Sequence, residues 1–110
     1  MSDHHEQRRS ERITAPASVQ VLHAEKSQSL GALVNISEDG LMVLGDPGVI
    51  VGHTYPIKIP LEERFVEMRI ECLWVSSADA DDKIWSGYAI AELPEEGEAL
   101  LAELIRSLAF

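Results

Sequence analysis

The chain has 110 residues, 45% of them apolar and 25% charged, which suits one small soluble domain with a packed core. Nine Lys and Arg stand against 19 Asp and Glu; the resulting charge of −10 repels nucleic-acid polymers and anionic lipid at long range. There is no apolar run near the ~20 residues that span a bilayer and no signal-peptide stretch at the N-terminus, so a cytoplasmic location without membrane insertion is expected; with one cysteine, Cys72, neither an internal disulfide nor a thiolate metal cage can form.

Residues 1–12 are polar and carry no apolar periodicity, so they are expected to form a flexible arm, with residues 13–110 as the folded domain. Ser18 to Ala24 reads as a strand with Val19, Val21 and His23 on one face. Leu30 to Val34 and Leu41 to Leu44 are short apolar runs flanking a polar turn. Asp46-Pro47-Gly48 is another turn, and Val49 to Gly52 reads as a brief extended piece. Tyr55 to Ile59 is a strand that should stop at Pro60.

The clearest strand is Phe65 to Val75, where Val66, Met68, Ile70, Cys72 and Trp74 alternate with Glu67, Arg69 and Glu71. That phase places Cys72 and Trp74 in the core. Ile84 to Glu92 should pair with it as a hairpin. Pro94, Glu95 and Glu96 suit a first helical turn, and Leu101, Leu104, Ile105 and Leu108 share one helical face. Gly97 weakens that turn, so the regular helix should begin slightly late. About six short strands and one terminal helix indicate an all-β domain, a small antiparallel barrel or sandwich, with the helix over one open end.

Two polar signatures interrupt this pattern. Arg8-Arg9-Ser10-Glu11-Arg12 holds three of the nine basic residues within five positions. Arginine's planar fork can grip two phosphate oxygens, or the O6 and N7 of guanine, in a way a lysine cannot. With Glu6 and Glu11 interspersed, the same stretch also reads as a solvated tail. The second signature, Asn35-Ile36-Ser37-Glu38-Asp39-Gly40, is good turn chemistry in any β protein. Asn35 and Ser37 could equally offer donors and acceptors to a guanine edge or a phosphate, above a sharp turn at Gly40.

Taken together, Arg-x-x-x-Arg and Asn-x-Ser-x-x-Gly resemble the paired motifs of PilZ domains. Gly52 before a strand, Leu73-Trp74-Val75 ending the long strand, Trp85-Ser86-Gly87-Tyr88-Ala89-Ile90 and the terminal helix fit the same family. The resemblance implies a six-stranded antiparallel β-barrel that binds cyclic di-GMP between the N-terminal arm and an outer barrel face. Arg8 and Arg12 would clamp the nucleotide, Arg9 would add a cation, and Asn35, Ser37 and Gly40 would form the polar turn. Trp85 has two readings, stacking on guanine or half-buried packing. Ala91, where members often carry Phe, should loosen packing under the helix.

The expected role is a receptor, with no cofactor, that relays the nucleotide signal to a downstream protein partner. The alternative is a PilZ-like interaction module that does not depend on nucleotide. No Ser-His-Asp, Cys-His or Walker pattern suggests an enzyme. His4 and His5 lack a fixed third ligand, so no metal site is expected.

Overall fold

The computed structural model describes residues 12–16, 18–26, 28–78 and 82–109. Among these, seven strands precede one helix: β1 (Ile13–Thr14), β2 (Gln20–His23), β3 (Ser29–Ile36), β4 (Gly40–Gly45), β5 (Thr54–Leu61), β6 (Arg64–Ser77), β7 (Ile84–Glu92) and α1 (Gly97–Leu108). Arg8, Arg9 and the histidines of the arm lie outside the described residues.

The sheet closes because β3 pairs on one side with β2 and on the other with β4. From β2 the ladder runs through β5, β6, β7 and β4 back to β3, every pairing antiparallel. This is the six-stranded barrel, not the sandwich. The extra strand β1 lies on β3 in line with β2. The pair Ala15 N–H to Val34 O and Leu33 N–H to Val19 O (both 2.9 Å) carries the chain across the gap between them.

Period-two alternation fills the barrel. In β6, Val66, Met68, Ile70 and Cys72 are buried while Glu67 and Arg69 face water. They meet Val21, Leu33, Ile36, Leu41, Val43, Ile57 and Ile59 from the other strands. Leu101 and Leu104 of α1 are buried in the same cluster. The helix touches both β6 and β1, which belong to different parts of the wall, so it lies across one mouth of the barrel.

Several sequence expectations are corrected. Residues 49–52 form a turn, not an extended piece, with His53 N–H bonded to Ile50 O (3.1 Å) and Gly52 at φ +92°. Strand β5 runs through Pro60 to Leu61. Pro60 faces Phe65, one step from the Leu61–Arg64 pair that closes the hairpin. By antiparallel alternation its missing N–H would point away from β6, beyond the last β2–β5 pair, Leu22–Lys58, so no ladder bond is lost. Pro94 precedes the helix, which begins at Gly97. Ala91 does not lie under the helix: it is exposed, in a register shift where Arg69 faces Glu92 and Ile70 faces Ile90. Ile90 packs against the core in its place.

The β5–β6 turn holds Glu62 at φ +57°, a region where a β-carbon is unfavourable. Glu62→Gly should stabilise the chain by about 0.5–1 kcal/mol in urea unfolding. A neutral or destabilising result would show that the turn relaxes around glutamate at no cost.

Candidate functional site

One extra residue in β6 determines what the barrel presents on its outside. Cys72 pairs with Tyr88, but Trp74 pairs with Gly87, so two residues of β6 advance against one of β7. The bulge resets the alternation. Trp74, expected in the core, is 41% exposed, whereas Cys72 remains buried as expected. The Cys72 thiol donates to the Trp74 carbonyl across the bulge (3.7 Å), and burial pushes its pKa up, so it stays a neutral packing group.

Gly87 lies beneath the indole. A β-carbon there would run into Trp74 Nε1 and its ring neighbours. The register then draws a row across the outer wall: Trp74 faces Gly87, Gly87 faces Met42, Met42 faces Asn35, and Asn35 faces Thr14. At the far end Arg12 Nη1 donates to Asn35 Oδ1 (2.7 Å). The two sequence signatures, 23 positions apart at these residues, therefore touch.

Together these residues form a cleft of about 250 Å³ lined by Arg12, Asn35, Leu41, Met42, Leu73, Trp74, Gly87 and Tyr88. No carboxylate lines it. Three larger clefts, of about 400, 350 and 330 Å³, each carry two or three acidic side chains: Glu67 and Glu92; Glu67, Glu95 and Glu96; and Glu38, Asp39 and Glu98. On an acidic protein, charge and not size decides which cleft suits an anion. Among the described residues Arg12 has no carboxylate partner; its bond goes to a neutral amide, which leaves its charge available.

The polar turn divides its labour. Asn35 faces the cleft, with its Nδ2 3.6 Å from Met42 Sδ. Ser37 does not: it is 2% exposed, and its hydroxyl accepts from Asp39 N–H (3.2 Å) and Gly40 N–H (3.3 Å). It holds the corner on which Asn35 stands. Gly40 is required by a close approach, since a β-carbon there would meet the Tyr88 carbonyl; its φ is not positive. Trp85 is half-buried on β7 opposite Leu44 and Ser76, outside the cleft's lining. By alternation it shares the outer face with Gly87, two residues away. Trp74 is the site residue that periodicity missed, and its signal was the small residue Gly87 paired with it.

Among the described residues no group of three His, Cys, Asp or Glu could hold a metal, and no helix is long and apolar enough to cross a membrane. The arrangement offers an exposed cation and an amide at one end, an indole face at the other, and a small-residue floor between. It suits a flat ring carrying acceptor atoms and negative charge.

Barrel and capping helix define the class: a small closed antiparallel β-barrel domain. The chain belongs to the PilZ domain family, whose profile matches residues 6–107. Solved structures of similar fold include the PilZ domain of YcgR from Escherichia coli with c-di-GMP (TM-score 0.72, 18% identity, 93% of this chain and 91% of that one). The Bacillus subtilis inhibitor of motility, MotI/DgrA, is also similar (TM-score 0.69, 20% identity, 91% of this chain). So is YcgR from Escherichia coli in complex with c-di-GMP (TM-score 0.69, 17% identity, 93% of this chain). This chain spans 50% and 46% of the length of the last two. No curated protein matches it.

Because Trp74 is exposed, Gly87→Ala should displace the indole at little cost to stability, within about 1 kcal/mol. In a Trp85→Phe background the Trp74 indole N–H resonance should shift clearly while the melting temperature holds. An unmoved resonance would mean the indole does not rest on Gly87.

Burial pushes the Tyr88 phenol up to about 12, against the opposing bond from the Ser86 hydroxyl. The unfolded phenol titrates near ~10, so the folded chain binds this proton more tightly. That contribution is complete below about pH 10 and is lost towards pH 12, at about 1.4 kcal/mol per pH unit. Tyr88→Phe should abolish this alkaline loss, and a stability difference between the two chains that stays constant with pH would refute it.

Proposed function

We propose that this chain is a cyclic di-GMP receptor that relays the nucleotide signal to a partner protein, in control of motility, biofilm or polysaccharide. The observation that carries the reading is the 2.7 Å bond between Arg12 and Asn35. One residue from each signature stands at the rim of a carboxylate-free cleft on an otherwise acidic protein. Family membership and the nucleotide named for the similar YcgR structures support the same ligand.

The cleft's 250 Å³ falls below the roughly 300–1,000 Å³ of sites that enclose drug-sized ligands. A dinucleotide therefore needs a further wall, and in this reading residues 1–12, carrying Arg8 and Arg9, supply it. Ordering each arm residue costs about 1–2 kcal/mol, and each charge-assisted bond returns about 1.5–3 kcal/mol, so several arginines must act together. In this reading Arg8, Arg9 and Arg12 grip phosphate or guanine edges beside Asn35. Ser37 and Gly40 hold the corner, a base stacks on Trp74, and Trp85 is a second stacking surface.

Titration calorimetry with cyclic di-GMP tests this. Arg8→Ala and Arg12→Ala should each weaken binding by about 10- to 150-fold. Trp74→Ala should weaken it by about 5- to 150-fold, and Trp85→Phe reports whether that indole takes part. Binding that survives both arginine substitutions unchanged would refute the assigned roles. The complete absence of binding by the unmodified chain would end the nucleotide reading.

A further inference from the structure

Beyond Cys72, strand β6 outruns its neighbour on the β5 side. The ladder there ends with Cys72 N–H to His53 O (2.9 Å) and Gly52 N–H to Cys72 O (2.8 Å). Residues 73–77 continue as strand but pair only with β7. Ile90 N–H bonds to Asp39 O, so by alternation Tyr88, Ser86 and Ile84 bond towards β4, and Gly87 and Trp85 towards β6. Their partners Trp74 and Ser76 are thereby satisfied. The N–H and C=O of Val75 and Ser77 point away from β7, where no described residue meets them.

Open edges invite pairing, and proteins normally blunt them with proline or charge. The free stretch of β5 follows that rule, carrying Pro60 beyond the last β2–β5 pair, Leu22–Lys58. The β6 edge does not: Leu73, Trp74, Val75, Ser76 and Ser77 include no proline and no charge, and all five are exposed. Ile50 and Val51, each 51% exposed, belong to the turn bonded to Cys72 and flank the same edge.

We propose that Leu73–Ser77 is the docking edge for a second copy of this chain. The occupant is indicated by the order of side chains. Bulky residues fill the first half and small ones the second. Antiparallel self-pairing about Val75 sets Trp74 opposite Ser76 and Leu73 opposite Ser77 of the second copy, so each large side chain meets a small one. Val75 meets Val75 of the second copy on the two-fold axis and exchanges both its free backbone bonds there. Such an interface is self-complementary, as a closed dimer requires. Its length is fixed at five residues per copy, because His53 and Gly52 already occupy the edge at Cys72. The proposal is independent of whether the cleft takes a nucleotide.

Sedimentation velocity on the full chain tests it, from about 5 μM to about 500 μM, a span that captures a weak dimer. A dimer should form in the upper part of that range. It should strengthen between about 50 mM and about 500 mM salt, because each copy carries −10 and screening removes the repulsion. Val75→Pro removes the central free N–H, and Val75→Lys sets two charges face to face on the axis. Either variant, folded by circular dichroism, should remain monomeric, and the lysine variant carries the test should the proline variant not fold. Amide exchange at Val75 and Ser77 should slow with chain concentration, while Trp74 and Ser76 are already protected. A monomer throughout the range, a dimer retained by the folded variants, or a dimer whose Val75 amide exchanges freely would each overturn the proposal.

Discussion

The bulge at Cys72–Trp74 is the constraint on which the outside of this barrel depends. Without the extra residue, alternation would carry Trp74 into the core behind Cys72 and bring Leu73 to face Gly87. With it, the indole turns out onto Gly87, and the core loses nothing, since Cys72 and Tyr88 still fill the layer beneath. The thiol-to-carbonyl bond ties the bulge to the buried side. The same step lies where the β5 ladder ends, so the strand leaves the barrel wall just as its phase changes. One inserted residue thus yields both an aromatic platform and a free edge.

Charge then selects among the surfaces that the fold provides. With 19 acidic side chains, most concavities acquire carboxylates, and the clefts beside the helix do. The row from Thr14 to Trp74 escapes because its members are a hydroxyl, an amide, a thioether, a glycine and an indole. Arg12 adds a cation whose bond among the described residues goes to that amide. A neutral acceptor positions a guanidinium without discharging it, whereas a carboxylate in the place of Asn35 would compete with any incoming anion. The surrounding acidity has a kinetic effect as well: it lowers the on-rate of polyanions generally and confines attraction to the neighbourhood of the arginine.

Much of the fold could be read along the chain because its strands are half-buried and their period is two. The stretches at 65–72 and 84–90 and the leucines of the last helix declare their faces by alternation and helical spacing. What escaped were features set by a neighbour and not by the strand itself. Pro60 looked like a stop, yet a proline is harmless where pairing with the adjacent strand has already ended, and that depends on where the β2–β5 ladder stops. Residues 49–52 are apolar enough for a strand, but Gly52 at positive φ turns them back onto Cys72. Ala91 was placed under the helix by family resemblance, yet alternation from Tyr88 already turns it to the outer face.

The site was half legible for a related reason. Its polar members announce themselves by type, and Arg12 and Asn35 do meet. Periodicity, however, assumes an unbroken ladder, and a bulge reverses the face of every residue after it. Trp74 was therefore assigned inward with the same logic that assigned Ile70 and Cys72 inward correctly. A glycine in the middle of a strand is the sequence trace such a reversal leaves, because something large must lie over it. Gly87 sits two places from one tryptophan and opposite another, and only the register distinguishes them. The turn shows the same limit at Ser37. Its hydroxyl is as capable of meeting a phosphate as the amide of Asn35, but it is buried, and its oxygen already accepts from two backbone N–H groups of the turn.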